Sequence, residues 1–196
     1  MKKIKSAVIV AGLLTGMAAS NLSVGADPGW YGGISAGRTS FGATSSELGL
    51  SSGTVDDKDT GWKIYGGYQI NQTWGAELGY YRLGKLSLTG NILGTPVTGN
   101  VEVNGLNFSG VGTLPINKSF SAFGKLGFFS SRAKASVSAG TLSAAATDNS
   151  TNISYGLGVG YTLNQSLGLQ AEWERVDGKG SDNVDLLSAG VSYKFK

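Results

Sequence analysis

The sequence predicts an all-β protein, an eight-stranded antiparallel up-and-down transmembrane β-barrel, and three observations carry that prediction. Segments of period-two alternation recur along the chain, with aromatic and aliphatic residues on one face and glycine with isolated charges on the other. Glycine is abundant, 32 of 196 residues, and only 15% of residues are charged; such a face is a poor water surface but suits a narrow interior. A short polar turn also recurs, as Ile70-Asn71-Gln72-Thr73-Trp74, Ile116-Asn117-Lys118-Ser119-Phe120 and Leu163-Asn164-Gln165-Ser166-Leu167. Each repeat therefore holds two strands, one tight turn and one long connection. Short turns at one rim and long loops at the other are the layout of bacterial outer-membrane barrels, whose short turns face the periplasm.

The chain opens with Lys2, Lys3 and Lys5, an apolar segment from Ala7 to about Ala19, and the small residues Val24-Gly25-Ala26 before Asp27. This predicts a cleavable export signal over residues 1–26 and a barrel domain over 27–196. A membrane-anchoring helix is the competing reading, but the apolar segment falls short of the roughly 20 residues a span needs. The first strand is expected over Trp30 to Thr39, followed by a long loop, Phe41 to Thr60, containing Asp56, Asp57 and Asp59.

Gly61 to Lys85 reads as the clearest hairpin. Trp62, Ile64, Gly66, Tyr68 and Ile70 share one face of its first arm, against Lys63, Tyr65, Gly67 and Gln69; Trp74, Ala76, Leu78 and Tyr80 oppose Gly75, Glu77, Gly79 and Tyr81 on the second, which continues through Leu86 and Leu88. Thr89 to Asn100 reads as a second loop. The fourth strand spans Leu106 to Leu114; Val101 and Val103 have the opposite parity, so a bulge is expected near Asn104-Gly105. Phe120, Ala122, Gly124, Leu126 and Phe128 define the fifth strand, and Lys134 to Thr151 reads as a third loop. The sixth strand, Ile153 to Leu163, alternates most cleanly. Leu167, Leu169, Ala171 and Trp173 give the seventh, Asp177 to Asn183 a short loop, and Leu187, Ala189, Val191, Tyr193 and Phe195 the eighth.

By parity all four tryptophans, Trp30, Trp62, Trp74 and Trp173, face outward with Tyr161, Tyr193 and Phe195, several of them near strand ends where aromatic belts form. Outward charges are few. Arg38, Arg82 and Arg175 each follow eight positions after Trp30, Trp74 and Leu167, and Arg132 comes later on the fifth strand. Eight residues tilted about 40° climb roughly 20 Å. Each guanidinium is thereby expected at the outer-leaflet headgroups, whereas at the midplane it would cost about 2–4 kcal/mol. Two readings follow: arginines that snorkel, or a collar that contacts the phosphates of outer-membrane lipid (lipopolysaccharide) by paired hydrogen bonds.

On the inner face, parity brings Glu77, Lys125, Glu172 and Gln170 to mid-height, with Lys63, Glu174 and Lys194 nearer the rims. Buried charges need partners, so Lys125 is expected between Glu77 and Glu172. Other chemistry is poorly supplied. There is no cysteine and no histidine, which removes thiol nucleophiles, thiolate metal sites and the commonest general base. No cofactor or metal is expected. The formal charge of +3 is accounted for by Lys2, Lys3 and Lys5, leaving no reason to expect a nucleic-acid partner.

At GYQIN (Gly67 to Asn71), AELGY (Ala76 to Tyr80) and GVSYKF (Gly190 to Phe195) the chain resembles the OmpA-like transmembrane barrels of Gram-negative outer membranes. The resemblance implies location in the cell outer membrane and a monomeric barrel, delivered by periplasmic chaperones and the barrel-assembly machinery. The closing strand looks like that machinery's recognition signal, a polar residue, Gly two positions on, then two aromatics: here Ser188, Gly190, Tyr193 and Phe195, followed by Lys196 where a terminal Phe is usual. In the family a lumenal glutamate on the third strand forms a gate with basic residues of neighbouring strands. Glu77 and Lys125 match two of these sites, while Gln170 stands where the family carries an arginine. Full-length members often add a periplasmic peptidoglycan-binding domain, which this chain is expected to lack.

The resulting expectation is a mainly structural, porin-like cell-envelope barrel, with a small charge-gated pore or an adhesin acting through its loops as alternatives. An enzyme is not expected, because enzymatic outer-membrane barrels generally rely on histidine.

Overall fold

The computed structural model describes residues 28–41, 53–56, 58–92, 95–139, 142–178 and 183–195; the predicted export signal lies outside these. Among the described residues there are nine strands: β1 (Gly29–Phe41), β2 (Gly53–Asp56), β3 (Lys58–Gln69), β4 (Trp74–Ile92), β5 (Thr95–Pro115), β6 (Phe120–Ala139), β7 (Leu142–Thr162), β8 (Leu167–Val176) and β9 (Val184–Lys194). Each of β3 to β9 pairs antiparallel with its neighbour, and β1 pairs with both β3 and β9. The ring is closed. β2 pairs with β4 beyond the part that β3 occupies, so nine segments make an eight-stranded barrel.

The three repeated turns form for one local reason. The Asn71 side-chain oxygen accepts hydrogen bonds from the backbone N–H of Thr73 (2.9 Å) and Trp74 (2.8 Å), and Asn117 and Asn164 do the same for the residues two and three positions on. A short amide side chain that satisfies two backbone donors is what a tight turn needs.

The wall is apolar outside and polar inside. Trp30, Leu126, Leu157, Phe128 and Leu187 are each more than 60% exposed, while Lys63 and Glu172 are at 0% and 2%. In water this arrangement would be disfavoured, since each exposed side chain forfeits about 1.5–3 kcal/mol of burial; acyl chains as solvent reverse the sign. Closure through the β1–β9 pairing also removes the free sheet edges of the ring, as a bilayer requires.

Two expectations are corrected here. The predicted loops Thr89 to Asn100 and Lys134 to Thr151 are largely strand: β4 and β5 stay in register to Ile92 opposite Thr95, and β6 and β7 to Ala139 opposite Leu142. Beyond the membrane no face has to be greasy, so the alternation fades while the backbone ladder continues. The bulge expected near Asn104-Gly105 lies instead on the partner strand. The β4–β5 register shifts between Arg82 and Gly84, leaving Leu83 as the extra residue and Gly84 at φ +92°, a conformation costly for any residue with a Cβ. β5 keeps its parity. Val103 packs against buried Phe41, Tyr81, Leu83, Phe129, Val176 and Leu186.

Candidate functional site

Ionic contacts cross the lumen. Lys125 on β6 lies 2.7 Å from Glu77 on β4 and 3.0 Å from Glu172 on β8. Lys63 on β3 reaches Glu172 at 2.7 Å and also bonds Glu174. Tyr81 donates to Glu174 at 2.8 Å, and Tyr31 to Glu77 at 3.3 Å. Two ammonium groups thus sit among three carboxylates, with tyrosine hydroxyls supplying further donors. Gln170 reaches both Glu172 and Ser35 at 3.4 Å, at the edge of the network. The ammonium groups also lie over ring faces, Lys63 over Tyr81 at 5.2 Å and Lys125 over Tyr65 at 5.2 Å. Such contacts gain strength where water is excluded.

Glu77, Lys125, Glu172 and Gln170 therefore meet in one place. Lys63 and Glu174, expected nearer the rims, belong to the same network. Strand tilt brings residues at different distances from their turns to a common level, and a lysine stem spans the remaining gap. The apolar plug around Phe129 and Leu83 was not foreseen. Its signal was weak, because Phe128-Phe129 and Leu186-Leu187 are apolar at both parities, so the alternation does not say that one member of each pair turns inward.

Inner-face glycines make room for rings. In register, Tyr31 lies opposite Gly67 and Tyr65 opposite Gly33. A Cβ at Gly67 would meet the Tyr31 ring at 2.5 Å, and one at Gly33 the Tyr65 hydroxyl at 2.2 Å. Each ring lies across the opposing glycine, filling the interior below the ion pairs.

The predicted rim residues are separate. Arg38, Arg82, Arg132 and Arg175 sit on β1, β4, β6 and β8. Arg38 and Arg132 are exposed. Arg82 pairs with Glu102 at 2.8 Å, and Arg175 spends both arms of its fork on Asp185, at 2.7 Å each, while lying over Trp173. The outward aromatics form edge or tilted pairs, across strands for Trp30 with Tyr68, Trp62 with Tyr80, Phe120 with Tyr161 and Trp173 with Tyr155, and along one strand for Tyr193 with Phe195. Trp74 lies against Gly112. On β9, Ser188 is buried, and a Cβ at Gly190 would meet Ser35 Oγ at 2.1 Å; Tyr193 and Phe195 are exposed on the lipid side.

The sequence model of the OmpA-like transmembrane domain matches residues 25–196. Outer membrane protein A of Serratia marcescens is 27% identical over 206 residues, an alignment covering 97% of this chain and 56% of that protein. The chain thus spans about half the length of the curated relatives it matches. Among solved structures, OprG of Pseudomonas aeruginosa superposes with a TM-score of 0.57 at 14% identity, covering 86% of this chain and 97% of OprG. Ail of Yersinia pestis gives 0.53 at 19% identity, covering 85% and 99%. At these identities the two barrels share the fold alone. With the family match spanning the whole ring of strands, the chain belongs to the OmpA-like transmembrane domain family and is a β-barrel of the Gram-negative outer membrane.

Proposed function

We propose that this barrel is a structural element of the outer membrane whose lumen is held shut. One observation carries the reading: Lys63 and Lys125, buried and shared among Glu77, Glu172 and Glu174, cross-link strands from opposite sides of the interior. Removing one partner of a buried ion pair costs about 3–5 kcal/mol, so spontaneous opening of this lattice is rare. The interior of an eight-stranded barrel is in any case just wide enough for its own side chains. The barrel is not an enzyme in this reading, and its polar interior serves packing. The purified protein in a planar bilayer is expected to show no steady conductance, and Glu77→Ala to stay silent as well, because the plug around Phe129 persists. Steady openings of the wild-type protein would overturn the proposal in favour of a pore.

A second reading, surface recognition, is favoured by the projecting sheet. β8 pairs with β7 only from Ser154 to Thr162, so among the described residues no strand pairs with that edge of β7 from Leu142 to Asn152. Such an edge is a template for an extended peptide, and this one carries a single charge, Asp148, and no proline. Binding of the purified barrel to host matrix protein is expected to fall in Ala144→Lys/Ala146→Lys, which places repelling charge on the edge. Equal binding by parent and variant would reject recognition through this edge.

A further inference from the structure

Among the described residues, most cations of the outward face lie on one side of the wall. Register lines up Arg82, Asn104, Arg132 and Asn149 across β4, β5, β6 and β7. The next row is Lys85, Glu102, Lys134 and Thr147. All eight share the lipid-side parity, with the bulge at Leu83 bringing Lys85 onto the outer face. Four cations therefore surround one carboxylate. Glu102 is engaged by Arg82 at 2.8 Å, while Lys85, Arg132 and Lys134 are exposed and make no ion pair among the described residues. Two strand spacings separate the columns by about 10 Å. The opposite wall differs: Arg175 is neutralised by Asp185, and Arg38 faces Thr60 and Leu187.

The patch also has depth. Arg82 lies eight positions beyond Trp74 and Arg132 twelve beyond Phe120; along tilted strands these climbs are roughly 20 Å and roughly 30 Å. The cations thus descend through about 10 Å, from above the headgroups to their plane. A simple phospholipid presents its phosphate in one plane. A phosphorylated glycolipid presents anionic groups at several depths, spread laterally over a sugar headgroup, and its acyl chains would lie on the apolar band below, at Tyr80, Leu106 and Phe128, whose outer faces are exposed.

We infer that β4, β5 and β6 form a binding site for a phosphorylated glycolipid of the outer leaflet, in which Lys85, Arg132 and Lys134 contact phosphate, Arg82 is held in place by Glu102, and Asn104 and Asn149 donate to sugar or phosphate oxygens. Charge-assisted hydrogen bonds to phosphate are the strong ones, and a one-sided site holds one lipid in one orientation.

The test titrates the purified full chain in detergent micelles with bisphosphorylated lipid A, read by native mass spectrometry. Arg132→Gln/Lys134→Gln is expected to weaken binding by about tenfold or more, the scale of losing two charge-assisted contacts. Arg132→Lys/Lys134→Arg, which keeps both charges in the site, is expected to bind within about twofold of the parent, and so is Arg38→Gln, a surface charge change away from the site. Dephosphorylated lipid A and phosphatidylglycerol are expected to bind as weakly as the double Gln variant. Unchanged affinity in that variant, or an equal loss in Arg38→Gln, would overturn the site. Inorganic polyphosphate binding as tightly as lipid A would also overturn it, by showing a surface for soluble polyanions. Unboiled-gel mobility matching the parent verifies that the variants are folded.

Discussion

Lys63 shows how much one inner-face residue decides. Its ammonium is buried against Glu172 and Glu174 and lies over Tyr81. Lys63→Met keeps much of the stem's volume but leaves three carboxylates to Lys125 alone. The expected outcome is a loss of about 3–5 kcal/mol in urea unfolding from lipid vesicles, with Lys63→Arg losing less because the charge is kept. A change under about 1 kcal/mol would mean that water reaches these carboxylates, since only solvated ion pairs are worth so little. At this scale parity was enough to put Lys63, Glu77, Lys125, Glu172 and Glu174 inside. It was not enough to say which carboxylate each lysine holds, because that depends on heights across a tilted ring.

Among elements, the strands that leave the membrane are the informative ones. Val97 to Asn104 on β5 pairs on both sides, with β4 and with β6, whereas Leu142 to Asn152 on β7 pairs only with β6. In an antiparallel ladder successive N–H groups point to opposite neighbours. Amide exchange measured by NMR is therefore expected to be slow throughout Val97 to Asn104 and to alternate residue by residue along Leu142 to Asn152, with protected amides facing β6. Uniformly fast exchange in both segments would show that these hairpins are not ordered strands. Membrane strands announce themselves because lipid and lumen impose opposite chemistry on alternate residues. Outside the membrane both faces meet water, so Ser, Ala and Thr serve either face, and a stretch of strand such as Lys134 to Ala139 reads like a loop. The bulge lies at Leu83 rather than near Asn104-Gly105 because the change of apolar parity on β5 marks Val103 turning inward onto the buried cluster, not a slip of that strand.

Considered whole, the molecule is inverted, with tryptophans on the perimeter and ion pairs at the axis, and the conductance expected of it follows from closure. Tyr31, Tyr65 and Phe129 fill part of the narrow interior of eight strands, and ion pairs from Lys63 and Lys125 cross it. The amino-acid sequence alone determined the fold class, the three tight turns, the outward belts and the set of inward charges, because each is written in neighbours one to four residues apart. Tertiary structure decided the rest: that Lys63 joins the central network, that Phe129 and Leu83 share a buried apolar cluster, that Asp185 neutralises Arg175, and that Lys85, Arg132 and Lys134, without an ion pair among the described residues, gather on β4 and β6. These depend on stagger between strands distant in the chain, and local alternation carries no record of stagger.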